Sequence, residues 1–456
     1  MSRRLHHPPD MARALSRDAL AAALVLVALL TSVAPAAAGK VALAGATVHP
    51  ASSPAVPGAV VLIDGDRIQA VGAGVAVPPD AKVVDCAGKH LYPGLVSAST
   101  VLGLIEVMSV SGTNDISETG TISPDIRAEV QFNPGSELLP VTLINGVTTA
   151  LVIPRGGVIS GTSAAMHLWG WNQEDMTLKA PVGLHIQWPG APPGRGAPPP
   201  GTEDERAKAR DRAIAEVKQA FDDARTYWTA RRAEGAAGIP RHDRDVKWDA
   251  MGKALRGEIP VFIHATTLAQ IRTMLKFVDE QGLKCVVLVG GADAWRAAEE
   301  LKKRDIPVVL NGILTLPRHA WDAYDESYTV PARTRDAGIR FCVSDGSSFP
   351  NFTVPNSRNL PYHAATVAAF GLTKEEALRS VTLSPAEILG LDKMVGSLEP
   401  GKYADLVVAD GDLLEQTTKV EQVWVSGQPV PMEESKQTRL FQKYDARPRG
   451  EKARVR

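Results

Sequence analysis

The stretch Leu91-Tyr-Pro-Gly-Leu-Val-Ser-Ala-Ser-Thr-Val-Leu-Gly-Leu104 decides the fold of this chain. An apolar run enters a turn at Pro93-Gly94 and continues as a second apolar run. Proline and glycine together favour a turn, and short apolar runs bounded by turn residues favour strands. The stretch therefore predicts a point at which the chain leaves one structural unit and enters another.

Strand-like segments precede this turn and recur near the C-terminus. They are residues 41–47, 59–64, 67–71, 404–410 and 420–426. Asp64-Gly65 adds a hairpin signal between two of them. We therefore predict a small composite β-sandwich domain formed by residues 39–92 and 397–432, with residues 93–396 inserted within it.

The inserted middle alternates strands with helices. The predicted strands are residues 147–153, 182–187, 260–264, 285–289, 307–310 and 340–344, and the predicted helices include 268–281 and 294–304. Capping boxes are predicted for Thr202 with Glu205, Thr373 with Glu376, and Ser384 with Glu387. Apolar strands that alternate with amphipathic helices favour an α/β fold with a parallel sheet covered by helices. In such folds, polar residues at the carboxyl ends of the strands form the site.

Both chain ends fall outside this domain plan. Residues 1–38 combine a basic lead, an apolar run at 19–33 and small residues before Gly39. This is the pattern of a cleaved secretory signal peptide, which predicts a secreted or periplasmic protein. The run is shorter than the ~20 residues of a spanning helix; an uncleaved anchor and a start at Met11 are alternatives. Residues 433–456 are polar and basic and predict a loosely ordered tail.

Composition excludes several classes of function. The formal net charge of −1 gives no support to nucleic acid as a partner. The three cysteines, Cys86, Cys285 and Cys342, neither form a disulfide framework nor have zinc-site spacing. Cys285 and Cys342 lie in apolar runs and are predicted to be core thiols.

Six short sequence motifs are spread along the chain after its first 38 residues. They are Asp64-Gly-Asp-Arg-Ile68, Tyr92-Pro-Gly-Leu95, Asn145-Gly-Val-Thr-Thr149, Val261-Phe-Ile-His264, Ser344-Asp-Gly346 and Gly396-Ser-Leu-Glu-Pro-Gly-Lys-Tyr-Ala-Asp-Leu406. Together they resemble the amidohydrolase superfamily, in particular its imidazolonepropionase-like and prolidase-like branch. The resemblance implies a TIM-like (β/α)8 barrel with a small composite β-sandwich. Function is a separate claim, because it depends on the site.

The resemblance also implies a metal site, which this chain keeps only in part. The superfamily uses one or two divalent metals to activate water and polarise a carbonyl. Its first-strand His-x-His pair falls on Ser99 and Val101, and its sixth-strand histidine is absent near residues 289–291. No convincing match exists for the fourth-strand lysine. The fifth-strand histidine matches His264 and the eighth-strand aspartate matches Asp345.

Two surviving ligands would hold one divalent metal such as zinc only weakly unless other residues contribute, because catalytic zinc sites use three protein ligands plus water. Further ligand candidates, each with an ordinary structural alternative, are His167, His185, His363, Glu106, Asp115 and Glu118. Without metal, His264 and Asp345 could act as a general acid–base pair. They could also activate a serine, with Ser99, Ser347 or Ser348 as nominal nucleophiles.

The segment at residues 155–161 is rich in glycine. It is either a tight loop or a cradle of backbone N–H groups for an anion or carboxylate. We predict Ser99, Gly157, Ser160 and His363 as residues that bind the substrate.

Two functions fit these observations. The first is an exported amidohydrolase-type hydrolase that cleaves carbon–nitrogen bonds other than ordinary peptide bonds, in a cyclic amide or a small acyl–amino acid compound. The second is a catalytically inactive barrel that binds a small ligand or serves as the subunit partner of an active homologue. Both predict a small-molecule ligand, no nucleic acid, and no membrane after signal cleavage. A homodimer is a further expectation from the resemblance.

Overall fold

The computed structural model describes residues 39–107, 109–190, 201–234, 238, 243–346 and 354–447. The predicted signal peptide, Ser347 and Ser348 lie outside these residues. Within them the chain is α/β. No helix in these ranges is long and apolar enough to cross a membrane.

The strands are β1 (Val41–Val48), β2 (Val56–Asp64), β3 (Arg67–Gly72), β4 (Lys82–Asp85), β5 (His90–Pro93), β6 (Leu95–Thr100), β7 (Val147–Val152), β8 (Ile159–Thr162), β9 (Ala164–His167), β10 (Thr177–Lys179), β11 (Leu184–Gln187), β12 (Val261–Ala265), β13 (Val286–Gly290), β14 (Val308–Leu310), β15 (Phe341–Val343), β16 (Leu406–Ala409), β17 (Val420–Val425) and β18 (Gln428–Pro429). The helices are α1 (Ala128–Gln131), α2 (Leu138–Leu143), α3 (Gln173–Met176), α4 (Glu203–Ala233), α5 (Val246–Leu255), α6 (Leu268–Glu280), α7 (Ala298–Lys302), α8 (Glu326–Asp336), α9 (Leu360–Ala369), α10 (Lys374–Ser380), α11 (Leu383–Leu389) and α12 (Lys436–Asp445).

An eight-stranded sheet is built from both ends of the domain. Its order is β18-β17-β16-β5-β1-β2-β3, and β4 pairs with β1. β5 and β16 pair antiparallel, with Tyr92 opposite Val407. The Tyr92 hydroxyl donates to the carbonyl of Gly411 (3.2 Å) and accepts from the amide of Leu413 (3.3 Å). The two ends are therefore joined by backbone pairing and by a buried side chain.

Two further sheets form the middle of the chain. Their orders are β10-β9-β7-β6 and β15-β14-β13-β12-β11-β8. β6 is parallel to β7, and the strands from β11 to β15 pair in parallel with one another, each with the next. These strands read as almost continuous apolar runs because both faces are covered.

The chain passes from the eight-stranded sheet to the middle sheets at Gly94. β5 ends at Pro93 and β6 begins at Leu95. The Gly94 amide donates to the carbonyl of Asp405 (2.9 Å), and a Cβ on Gly94 would overlap the side chain of Thr148. Only glycine fits at position 94, so close packing against Thr148 explains why glycine follows Pro93 in the opening stretch.

The middle is not uniformly parallel, which differs from the predicted strand pattern. β9 is antiparallel to β7, and β8 is antiparallel to β11. The reason lies in the connection, since only residues 153–158 separate β7 from β8. A parallel crossover needs a dozen or more residues, whereas a short turn can only reverse the chain.

Helix starts are confirmed at two of the three predicted capping boxes. Thr202 with Glu205 and Thr373 with Glu376 both form the reciprocal pair of hydrogen bonds. The box at Ser384 is wrong, because α11 already begins at Leu383 and Thr382, in the N-cap position, makes no side-chain cap. Gly390 does end this helix with a left-handed φ of 64°.

Two other expectations are corrected by the structure. Cys285 is exposed, because it precedes β13 and does not lie within it, whereas Cys342 is buried as predicted. The tail is helical over Lys436–Asp445, although none of its residues is buried. Apolar side chains spaced along one face, including Phe441 and Tyr444, account for the helical pattern.

Candidate functional site

Polar side chains gather where the parallel strands of the middle end. His264 lies near the end of β12, Asn311 follows β14 directly, and Asp345 follows β15. The register aligns His264 with Val289, Val289 with Val309, and Val309 with Cys342. His264 and Asp345 therefore lie at the same edge of one sheet, which we call the strand-end edge.

Asp345 is buried against β6. Its Oδ1 accepts hydrogen bonds from the hydroxyls of Ser97 and of Ser344, the latter at 3.4 Å. Burial raises the pKa of the Asp345 carboxyl, while hydrogen bonds from Ser357 and Ser97 act in the opposite direction. The proton on this carboxyl is thus held more strongly than in an ordinary aspartate.

His264 forms a pair with His185. Nε2 of His264 lies 3.0 Å from Nδ1 of His185, so one ring donates to the other. His185 is fully buried and stacks on Phe262, with ring centroids 4.7 Å apart. Burial lowers the pKa of His185 to about 3 and that of His264 well below its usual range, and the charge of Arg155 adds to both shifts. Both rings are therefore neutral at physiological pH.

Arg155 is a positive charge that acts on these groups. It lies three residues beyond the end of β7. Burial lowers the pKa of its guanidinium to about 10, against the attraction of Asp345. The group remains cationic at neutral pH and acts electrostatically on Asp345, His185 and His264.

Ser99 lies close to Asp345 but has a structural partner. Its hydroxyl accepts from the Asn311 side-chain amide (3.2 Å). A Cβ on Gly346 would lie 2.7 Å from the Ser99 carbonyl oxygen, so glycine is needed for this close approach. Val101 is buried in the core and has no polar atom to offer.

Gly157 and Ser160 are held by neighbouring segments. A Cβ on Gly157 would lie 2.6 Å from the Thr121 carbonyl oxygen, and the amides of the next two residues donate to that same oxygen. Ser160 donates to the carbonyl of His185 (3.4 Å). Those two amides and that hydroxyl are already used, so the described contacts favour the tight-loop alternative over an anion cradle.

The remaining histidine candidates occupy separate places. His363 is buried on α9, and burial lowers its pKa to about 4. His167 is buried at the end of β9 and pairs with Asp405 (2.8 Å). Asp115 and Glu118 are exposed, and Glu106 is partly buried. Surface cavities of about 420 and 340 Å³ are lined by other residues, such as Tyr362 in the first and Arg335 in the second.

The residues at the strand-end edge do not fit a divalent metal. Ser99 and Asp345 Oδ1 are already engaged by hydrogen bonds, and the two histidine rings bond to each other. The Arg155 charge acts on the imidazole and carboxyl groups that would have to bind a second cation. In the described ranges, no group of three or more His, Cys, Asp or Glu residues has the arrangement of a metal site.

Sequence reasoning missed Arg155 and Ser97 and treated His185 only as a remote metal candidate. The position of His185 could have been found from the sequence. His185 lies on β11, which is parallel to β12, and it pairs with Phe262, two residues before His264. Ser97 and Asp345 are 248 positions apart, and nothing in the local pattern of either residue predicts their contact.

Comparisons with known proteins agree with this architecture. Residues 320–430 match the model of the amidohydrolase family. The amidohydrolase tasK of Hapsidospora irregularis is 26% identical over 382 residues, which cover 77% of this chain and 37% of that protein. The imidazolonepropionase of Erwinia tasmaniensis is 60% identical over 38 residues, or 8% of this chain and 9% of that enzyme. The chain thus spans less than two fifths of the length of either curated relative.

A solved structure extends the likeness over the whole fold. An amidohydrolase from Thermotoga maritima MSB8 superposes with a TM-score of 0.74 at 26% identity, covering 86% of this chain and 99% of that one. Its family implies a TIM-like barrel with an additional domain, and its members usually bind metal. The family match over residues 320–430 and this structural likeness make the chain similar to proteins of the amidohydrolase superfamily.

Proposed function

We propose that this protein is an exported hydrolase that cleaves carbon–nitrogen bonds in small amides, with an altered site in place of the family's metal centre. The observation that supports this most directly is that His264 and Asp345 both lie at the strand-end edge. Their pKa values are shifted in opposite directions, downward for the imidazole and upward for the carboxyl. Groups whose environments separate their pKa values in this way are suited to act as base and acid.

The barrel is part of the proposal. β8 and β9 are separated by Ser163 alone, and they pair with β11 and β7 respectively, so this run of chain links the two middle sheets. At the other end, Ser97 of β6 bonds to Asp345 after β15. We infer that the eight strand positions close into a TIM-like barrel with one reversed strand.

The proposed reaction uses the two residues as follows. Neutral His264 accepts a proton from water as the water oxygen attacks the amide carbonyl carbon. The carbon–nitrogen bond then breaks, and protonated Asp345 donates its proton to the leaving nitrogen. Transfer of the proton from His264 back to Asp345, through solvent, restores both groups. General acid–base catalysis of this kind contributes about 10²–10⁴-fold in rate.

The sequence pattern of residues 1–38 supports the export part of this proposal. The basic lead, apolar run and small residues before Gly39 support removal of residues 1–38 and a secreted or periplasmic location. The proposed partner is a small-molecule substrate, with a homodimer or a pairing with an active homologue as the proposed assembly.

The test is an activity screen on the chain from Gly39 onward. Cyclic amides, ureas and N-acyl amino acids would be offered, and released amine would be measured. We expect turnover that falls at least 100-fold in His264→Ala and Asp345→Asn and is unchanged in the surface control Asp80→Asn. Metal content would be measured by mass spectrometry on the same samples. Absence of turnover across the panel would reject the hydrolase and favour the inactive, ligand-binding protein. Stoichiometric metal lost in His264→Ala would reject the altered site.

A further inference from the structure

The last helix of the described chain, α12 (Lys436–Asp445), lies on the surface of the protein. Thr438 is its one partly covered residue, and the rest are exposed. The helix is attached at its start, where Ser435 is buried and the guanidinium of Arg358 donates to the side-chain carbonyl of Gln437 (2.6 Å). α12 is therefore joined to the domain at its first turn but is not packed into the core.

Three apolar side chains on α12 are left in contact with water. Leu440, Phe441 and Tyr444 are 43%, 72% and 66% exposed. Residues three and four positions apart lie on the same face of a helix, so these side chains form one apolar stripe along α12. A surface cavity of about 420 Å³ adjoins the stripe, and its lining includes Phe441 and Tyr362. None of the described residues covers the stripe, which marks it as an interaction surface.

Basic side chains border the apolar stripe. Lys436, Arg439 and Lys443 are all exposed, and their spacing of three and four residues places them together on the adjoining face of α12. Residues 433–456 contain eight Lys or Arg residues against four Asp or Glu residues, whereas the whole chain contains 50 against 51. Positive charge is therefore concentrated in this one segment, next to its exposed apolar groups.

We propose that α12 lies flat on an anionic lipid bilayer and holds the protein at a membrane surface. A helix whose apolar stripe is flanked by Lys and Arg has the pattern of an interfacial helix, with its apolar groups among the acyl chains and its cations at the headgroup phosphates. A helix of 10 residues is about 15 Å long, half the thickness of the hydrocarbon core, so it cannot cross the bilayer. The proposal replaces the sequence-based expectation of no membrane partner after signal cleavage, and it does not depend on the proposed hydrolase.

Two other occupants fit only part of this surface. Nucleic acid would bind the cations but would leave Phe441 and Tyr444 in water. A second copy of the chain, joined through the same face, would cover the apolar stripe but would bring two sets of like charges together. An anionic bilayer complements both the apolar stripe and the basic residues beside it.

The test measures binding of the chain from Gly39 onward to lipid vesicles by sedimentation. Residues 40–456 form one compact unit, and removal of the leader avoids insertion of its own apolar run. We expect binding to vesicles of phosphatidylglycerol and phosphatidylcholine in equal parts, and at least tenfold weaker binding to phosphatidylcholine alone or in high salt. The double variant Phe441→Ser with Tyr444→Ser should bind the mixed vesicles at least tenfold less tightly, because it removes the apolar contact.

The variant that removes charge has a matched control. Arg439→Gln with Lys443→Gln should weaken binding to the mixed vesicles about 25-fold, or about fivefold for each charge removed. Arg272→Gln with Lys276→Gln removes two exposed cations at the same spacing on α6 and should bind as tightly as the wild type.

Absence of binding to the mixed vesicles by the wild type would overturn the inference. In that case, binding of a DNA duplex that is lost only in the α12 charge variant would indicate a nucleic-acid surface, and a dimer that only the apolar variant dissociates would indicate self-association. Equal losses in the α12 and α6 charge variants would also overturn it, since they would show a response to net charge alone. Circular dichroism would verify the fold of each variant, and the salt dependence of the wild type tests the proposal without any substitution.

Discussion

Individual residues in this protein are constrained mainly by close approach and by burial. Gly94 and Gly346 both lie where one segment passes directly over another, and a methyl group at either position would meet a neighbouring segment. Neither position has a left-handed φ, so the constraint is space and not backbone strain. This explains physically why glycine follows Pro93 in the opening stretch and why it follows Asp345 at the site.

Gly94→Ala should lower the free energy of unfolding by about 1–3 kcal/mol or more, because the new methyl group overlaps Thr148. Urea unfolding followed by circular dichroism would measure it. Gly74→Ala is the matched control, since no atom lies within 4 Å of its added methyl group. Thr148→Ala in the Gly94→Ala background should restore part of the loss. Equal midpoints for the two single variants would contradict the packing argument.

Sequence alone predicted the site at residue scale only where the signal was local. His264 and Asp345 each end an apolar strand, and strand ends can be found in a single stretch of sequence. The role of Arg155 depends on Asp345, which comes almost 200 positions later, and on burial that no stretch of sequence reveals. Charges that act through space between segments far apart in the chain are determined by tertiary structure, which local patterning does not contain.

At the scale of elements, a buried histidine–aspartate hydrogen bond joins the middle sheets to the eight-stranded sheet. His167 ends β9, and Asp405 directly precedes β16. The Asp405 carboxylate contacts His167 Nε2 (2.8 Å) and also accepts from the amide of Ser426 after β17 (2.8 Å). Both side chains are buried, so each group depends on the other for its hydrogen bonds.

Asp405→Ala should cost about 2–4 kcal/mol, because it leaves the His167 ring and the Ser426 amide without their partner. Asp80→Ala is the surface control; it removes an ion pair of 3.9 Å whose carboxylate side chain is 68% exposed, and should change stability by less than about 0.5 kcal/mol. Calorimetric melting temperatures would compare them. In a double-mutant cycle, additive effects of His167→Ala and Asp405→Ala would rule out coupling between the two sheets through this pair.

At the scale of the whole molecule, the buried histidines set the response to acid. Burial lowers the pKa of His185 to about 3 and of His363 to about 4, and also lowers that of His264. The unfolded chain takes up these protons near the ordinary value of 6.5. The folded state binds fewer protons than the unfolded state below that pH, so stability falls as the pH falls from about 6.5 toward 4. The raised pKa of Asp345 acts in the opposite direction, lowering stability as pH rises above its ordinary value of 3.8.

His363→Leu should make the protein less sensitive to acid. His363 alone contributes a slope of about 1.4 kcal/mol per pH unit between its folded and unfolded pKa values. Urea midpoints at pH 7, 6, 5 and 4 would therefore fall less steeply in the variant than in the wild type. Parallel slopes for the two proteins would show that His363 does not resist protonation in the fold.

The general architecture could be predicted from sequence because many separate segments carry local signals that agree with it. Strands at both ends, alternating strands and helices in the middle, and two capping boxes all gave consistent local signals. The reversed strands β8 and β9 could not be predicted, because their apolar pattern is the same in either direction. Only the shortness of the connection after β7 determines that the chain turns back.

The pairing of β5 with β16 also determines when the eight-stranded sheet can finish folding during synthesis of the chain. Tyr92 contacts Gly411, which is made 319 residues later. Until that part emerges, β5 presents an unpaired edge of N–H and C=O groups to other chains. Contacts of such long sequence separation slow folding, because the loop must close before the contact forms. Pairing with β16 therefore closes the open edge of β5. A chain that ends before β16 leaves this edge unpaired and prone to aggregation, even if its middle has folded.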